Sequence, residues 1–255
     1  MVKRELSVLV LTEDTGNDAH SIVCAVAEKA LFVLEPGLDR QRLRFDQAAE
    51  IARAGMGFNC YKSTNPRDHN KKTDLALAIA RYLMVKDRDA VVFVHIDADR
   101  PWSERDPTHI CDNARRFTEE IVQRVTSILS EDARRTNHDE THRIHRIAML
   151  IPFWTLESWL YQNTREGLRI CQEYPQYRGE AAHFELWQQR PHLLDEHVRP
   201  KDTVRFGSKY NLRLASEGFP AGRLYQLGLS FTAAVEGARP GLAPLLAAHT
   251  HHSGP

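Results

Sequence analysis

The chain has 255 residues, 42% of them hydrophobic and 27% charged, enough to bury a sizeable core as one large domain or one domain with an appendage. Lysine plus arginine equal aspartate plus glutamate at 34 each, which excludes a global basic field for nucleic acid and an acidic, disordered chain. No apolar stretch approaches the roughly 20 residues of a membrane span, "MVKRELSVLVL" has no small-residue cleavage site, and the expected location is cytoplasmic.

Residues 6–12, "LSVLVLT", form a continuous apolar run that predicts a strand covered on both faces. "EDTGND" is a polar turn with Gly16. The next segment places Ile22, Val26, Ala30 and Val33 at helical spacing, with Asp18 as N-cap and Pro36-Gly37 as the stop. "RLRF" at 42–45 predicts a short second strand, and 46–56 a helix. Residues 57–73 read as a loop carrying Lys62, Arg67, Lys71 and Lys72. A helix over 74–85 follows, then a central strand ending in "VVFVHIDADRP".

Residues 109–131 predict a long helix with Phe117, Ile121, Val125 and Ile128 along one side. A polar loop over 137–146 holds His138, His142 and His145 at a spacing that resembles metal ligation, although its composition favours a solvated loop. "RIAMLIP", 146–152, is another strand, and "TLESWLYQN" begins a further helix. The alternation of strand and helix predicts a doubly wound, mostly parallel α/β sheet over 1–165. A helical, loop-rich extension over 166–245 and a flexible tail over 246–255 complete the expected organisation. Cys24, Cys60, Cys111 and Cys171 are widely spaced without a C-x-x-C pair and are expected as buried, reduced thiols.

Ligands of open α/β sheets collect outside the carboxyl ends of the strands. Glu13 follows the first strand. Asp97 and Asp99 follow the strand at 91–96, and Glu157 lies in the first turn after the strand at 146–151. If the chain stays extended through 97–99, Asp97 and Asp99 point to one face. Clustered carboxylates repel unless a cation intervenes, and hard oxygen ligands suit Mg²⁺ or Mn²⁺. Such a metal beside a phosphate supports phosphoryl chemistry. Each acid also has a bland account: a turn aspartate for Asp99, a helix-start glutamate for Glu157, a turn residue for Glu13.

The order strand–Glu in "LVLTED" and strand–Asp-x-Asp in "VFVHIDAD" resembles the Toprim domain of topoisomerases, primases and the overcoming-lysogenization-defect nucleases. "IPFWTLESWLY" is similar to stand-alone bacterial Toprim-like proteins. The resemblance implies Mg²⁺ held by Glu13, Asp97, Asp99 and Glu157 for phosphodiester cleavage of DNA or RNA. It further implies a completing base from the C-terminal part, for which Lys209 in "RFGSKYNLRLA" is the candidate by position; a solvated surface lysine is the alternative. It suggests a bacterial antiphage defence or repair setting, with a separate ATPase subunit as partner. Asp14 stands where the family often has glycine. The basic stretch Lys62, Arg67, Lys71 and Lys72 either contacts a phosphate backbone or is a solvated charge run. Phe153/Trp154 and Trp159/Tyr161 are candidates for base stacking, with core packing favoured for Trp159. Two further readings stay open: a non-catalytic subunit that keeps the fold, and another Mg²⁺-dependent phosphoryl-transfer enzyme.

Overall fold

A computed structural model describes residues 5–13, 16, 18–46, 66–85, 89–99 and 110–250. Four strands form one all-parallel sheet: β1 (Leu6–Thr12), β2 (Leu43–Asp46), β3 (Asp89–His95) and β4 (Ile147–Leu150). Their spatial order is β2-β1-β3-β4. All seven residues of β1 are buried, as its unbroken apolar run requires between two covering layers.

Helix α1 (Ala19–Leu34) joins β1 to β2, and α2 (Pro66–Leu83) leads into β3. Helix α3 (Ile110–Thr136) leads from β3 towards β4, by way of a 3₁₀ segment, Thr141–Arg146. The period of two splits β1 between the two layers. Leu6, Val8 and Val10 pack with α1, whereas Leu9 and Leu11 pack with Leu75 and Ile79 of α2 and Phe117 and Ile121 of α3. Helices therefore cover both faces, which is the doubly wound α/β architecture expected from the strand–helix alternation.

Beyond β4 the chain is a series of short helices: α4 (Glu157–Leu160), α5 (Thr164–Glu173), α6 (Ala181–Gln189), α7 (Pro200–Thr203), α8 (Ser208–Ser216) and α9 (Ala221–Gln226). The long α10 (Ser230–Ala247) closes the series. These helices share one hydrophobic core with β1 and α1, so 166–245 is not a unit with its own core. Pro175 and Pro200 stand at the first positions of helical segments, where a missing N–H costs nothing.

Several expectations need correction. Helix α2 begins at Pro66, so Lys71 and Lys72 lie on a helix and not in a loop; Arg67 is on the same helix. Lys62 and the helix expected over 46–56 fall, past Asp46, outside the described residues, as does Cys60. The histidine-bearing segment ends in a 3₁₀ helix, and Glu140 sits between His138 (2.8 Å) and His142 (3.9 Å). Cys111 is exposed, whereas Cys171 is buried and Cys24 half-buried. The tail is packed through residue 250. His249 is buried with Nε2 3.1 Å from Asp89 Oδ2, and Thr250 bridges to Leu38. Among the described residues, no helix is long and apolar enough to cross a membrane.

Candidate functional site

The strand order sets the site. The chain leaves β1 towards β2 on one side and later places β3 on the other, so the switch point of the sheet lies between the carboxyl ends of β1 and β3. Register puts Thr12 opposite His95 there. Glu13 and Asp97 are the acids that follow these ends, and the fold brings them together. The Asp97 N–H donates to Glu13 Oε1 at 2.7 Å.

The loops after β3 and β4 are zipped to each other. Ile96 N–H donates to the Leu150 carbonyl (3.3 Å), Asp99 N–H to the Trp154 carbonyl (3.0 Å) and Leu156 N–H to Asp97 Oδ1 (2.9 Å). This pairing carries Glu157, the first residue of α4, to the edge of the same cluster. Glu157 Oε2 accepts from Thr155 Oγ1 at 2.7 Å and Oε1 from Asn211 Nδ2 of α8 at 3.2 Å.

Lys201 of α7 joins the two carboxylates. Its Nζ is 3.2 Å from Asp97 Oδ2 and 3.4 Å from Glu157 Oε2. The Asp97 side chain is 1% exposed and that of Lys201 43%, so a recessed carboxylate meets an ammonium that reaches in from solvent. Behind them His95 is fully buried on β3. Its Nδ1 lies 3.0 Å from Thr12 Oγ1 and its Nε2 3.4 Å from Asp97 Oδ1.

The environment drives the two acids apart. Burial pushes the Asp97 carboxyl up, but the hydrogen bond and charge of His95, with Lys201, outweigh it and hold Asp97 below the usual carboxylate range. Burial also pushes Glu157 up, the Asp97 charge adds to this, and Lys201 and Thr155 offset only part; Glu157 therefore lies above its ordinary value. One ionised acid beside one that holds a proton more readily is an arrangement able to pass a proton.

Asp99 departs from the expected geometry. The strand ends at His95 and residues 98–99 form a turn, so the alternation that would aim Asp97 and Asp99 at one face is lost. Asp99 instead sits 3.7 Å from Arg199 Nη2, at the rim. Lys209 is also corrected. Its ammonium lies over the rings of Tyr210 (4.6 Å) and Tyr174 (5.6 Å), and Lys201 is the lysine of the acid cluster. Lys71 and Lys72 lie in the first half of α2, a helix that starts from the carboxyl edge of the sheet because it returns the chain to the start of β3.

Sequence reasoning missed Lys201, His95 and Asn211. His95 left a trace, because a histidine inside an apolar strand must find partners when buried. Lys201 left almost none, being 104 residues from Asp97 along the chain.

The donor set can be tested against a divalent cation. Glu13, Asp97 and Glu157 supply hard carboxylate oxygens. Among the described residues no group of three His, Cys, Asp or Glu side chains is arranged to hold a metal ion by itself. Neighbouring carboxylates of this kind fit Mg²⁺, which is commonly held by one or two carboxylates with waters and substrate phosphates filling the rest. No family model, no curated protein and no solved structure matches this chain.

Proposed function

We propose that the chain is a Mg²⁺- or Mn²⁺-dependent phosphodiester hydrolase acting on DNA or RNA. The observation that carries this reading is the buried Asp97, joined through Lys201 to Glu157 and through its own N–H to Glu13, at the switch point of a parallel sheet.

Glu13 and Asp97 would hold the metal, with Glu157 beside them, while Asp99 stays at the rim with Arg199. Bound there, the ion would polarise a phosphoryl oxygen and make its water a better nucleophile. Lys201 reaches the cluster from the solvent side, so its ammonium is placed to meet a non-bridging phosphate oxygen and offset charge that grows as water adds. Glu157, with its raised proton affinity, accepts the proton that the attacking water loses, on Oε2 or Oε1. Hydrolysis then breaks one P–O ester bond, and the leaving oxygen takes up a proton from solvent water, to which Glu157 returns the one it accepted. Thr155 and Asn211 each hold one Glu157 oxygen and fix its orientation. Lys71 and Lys72 would contact phosphates away from the cut, a positioning role.

A second reading has its own observation. Lys201 bridges Asp97 and Glu157 with its own ammonium, an arrangement that a non-catalytic subunit that binds nucleic acid or an ATPase partner would also tolerate. Calorimetric titration of Mn²⁺, with cleavage of plasmid, single-stranded DNA and RNA, separates the two. The hydrolase reading expects wild type to bind metal and cleave, and Asp97→Asn to lose both. Metal bound by wild type with every substrate left intact favours the non-catalytic subunit.

A further inference from the structure

The two aromatic pairs singled out in the sequence have different fates. Trp159 and Tyr161 are buried, the Trp159 indole N–H donating to Ser230 Oγ at 2.8 Å and the Tyr161 hydroxyl to the Val204 carbonyl at 3.1 Å. They are core residues. Phe153 and Trp154 are only half-buried and meet edge to face at 5.3 Å. No acceptor among the described residues takes the Trp154 indole N–H, so no hydrogen bond accounts for the ring's position.

The Arg199 guanidinium covers the Trp154 ring, 5.5 Å from its centroid, and its side chain is 51% exposed. A flat cation here occupies the face that a nucleobase would take. The same short segment carries Lys201 and the exposed Arg205, whose Nε–H donates to the Lys201 carbonyl at 3.2 Å. Arg199, Lys201 and Arg205 thus lie along one segment with Asp202 among them; Arg199 pairs with Asp99 (3.7 Å) and Asp202 (4.0 Å), and a phosphate would compete with these carboxylates for it. The segment and the aromatic platform are tied to the acid loop by the Asp99 bond to the Trp154 carbonyl.

We propose that Trp154, Arg199 and Arg205 receive single-stranded nucleic acid, with an unpaired base displacing the Arg199 guanidinium from the Trp154 indole and adjoining phosphates taking Arg199 from Asp99 and Asp202 and meeting Arg205. The inference rests on the phosphodiester reading of the neighbouring cluster and narrows its substrate class. A cationic track with an aromatic ring is the usual means of holding a single strand. A duplex offers its phosphates to the arginines, but its bases stay stacked on one another and give the half-buried indole no face to meet.

The test is fluorescence anisotropy of labelled oligothymidylate and of a duplex of equal length, in EDTA so that nothing is cut. Wild type is expected to favour the single strand. Trp154→Ala should weaken single-strand binding about tenfold, within the range of one base–aromatic stack, and leave duplex binding unchanged. Trp154→Phe keeps a ring and should recover most of the loss. Arg205→Met should lower the salt slope of single-strand binding by about one. Unchanged affinity in Trp154→Ala, a preference for duplex, or a Trp154→Phe variant no better than alanine would each overturn the proposal. Should Trp154→Ala melt early by circular dichroism, the Phe and Met variants decide. Single-strand preference without cleavage by the metal-loaded protein sinks the hydrolase reading and leaves this one. Cleavage with no dependence of strand preference on Trp154 does the reverse.

Discussion

Replacing Lys201 with methionine removes the ammonium from two carboxylates while keeping most of the stem. At 3.2 Å, an effective dielectric constant near 20 gives an attraction of about 5 kcal/mol, and bulk water gives about 1. Removing one partner of a fully buried pair costs about 3–5 kcal/mol. Lys201 is 43% exposed, and solvent screening discounts that figure to about 2 kcal/mol at pH 7. The pH dependence follows from the two carboxyls. Lys201 helps to depress Asp97 and limits the rise of Glu157, so both rise in the variant. A depressed carboxyl contributes stability above its unfolded pKa and loses it as pH falls through the folded one. A raised carboxyl contributes below its unfolded pKa and loses it as pH rises through the folded one. The Asp97 part of the variant's deficit is therefore largest at neutral pH and disappears only as pH falls below the usual carboxylate range, through the depressed Asp97 carboxyl, whereas the Glu157 part disappears on the alkaline side of that range, as its raised carboxyl takes up a proton. Urea unfolding in EDTA at neutral pH and on the acid side of the usual carboxylate range, about pH 3, measures this difference. An equal deficit at both values, or none at neutral pH, would show that the ammonium does not stabilise the pair.

Two further outcomes test the surrounding packing. Gly167→Ala gains about 1 kcal/mol of helix propensity in α5. Its Cβ would run into the edge of the Phe184 ring, which is wedged among Tyr161, Trp187 and Phe206. Overpacking of about 1–3 kcal/mol or more wins, and thermal unfolding should start several degrees lower; a raised midpoint would show that the ring yields. His249→Ala removes the partner of Asp89 and should cost about 1–3 kcal/mol in chemical denaturation. An unchanged midpoint would mean that the chain end contributes nothing, as expected of a frayed tail.

The sheet was legible because its strands are covered on both faces. "LSVLVLT" and "AVVFVH" are too short for helices of their own and too apolar for a surface, which leaves a buried parallel strand as the consistent assignment. Glu13 and Asp97 followed from the same logic, since parallel strands deliver their carboxyl ends to one edge. Asp99 failed because alternation holds only while the chain remains extended, and the turn at 98–99 ends it. Lys209 failed for another reason. A cation's choice between an acid and an aromatic face is made by tertiary packing, and Tyr174 reaches Lys209 from the residue that follows α5. The part over 166–245 was expected as helical and loop-rich without helix bounds, and Pro175 and Pro200 alone do not say where a helix begins. At the first turn a proline starts a helix as readily as it ends one.

The four acids picked out in the sequence divide into an inner and an outer group, and the division follows from backbone bonding. Leu156 N–H turns Asp97 inward, and the Asp97 N–H holds Glu13 beside it. Asp99 spends its own N–H on the Trp154 carbonyl, which directs its side chain to the rim and to Arg199. Asp97 and Glu157 meet Lys201, and Asp99 meets the cation that lies on the indole. Lys201 and Arg199 are two residues apart on one segment, so on the proposed reading a strand drawn along that segment by its phosphates would pass from the aromatic platform towards the inner carboxylates. Cleavage and grip would then lie side by side, where the loops after β3 and β4 meet the 199–201 segment. That adjacency is why a base stacked on Trp154 would bring its neighbouring phosphodiester towards Asp97 rather than away from it.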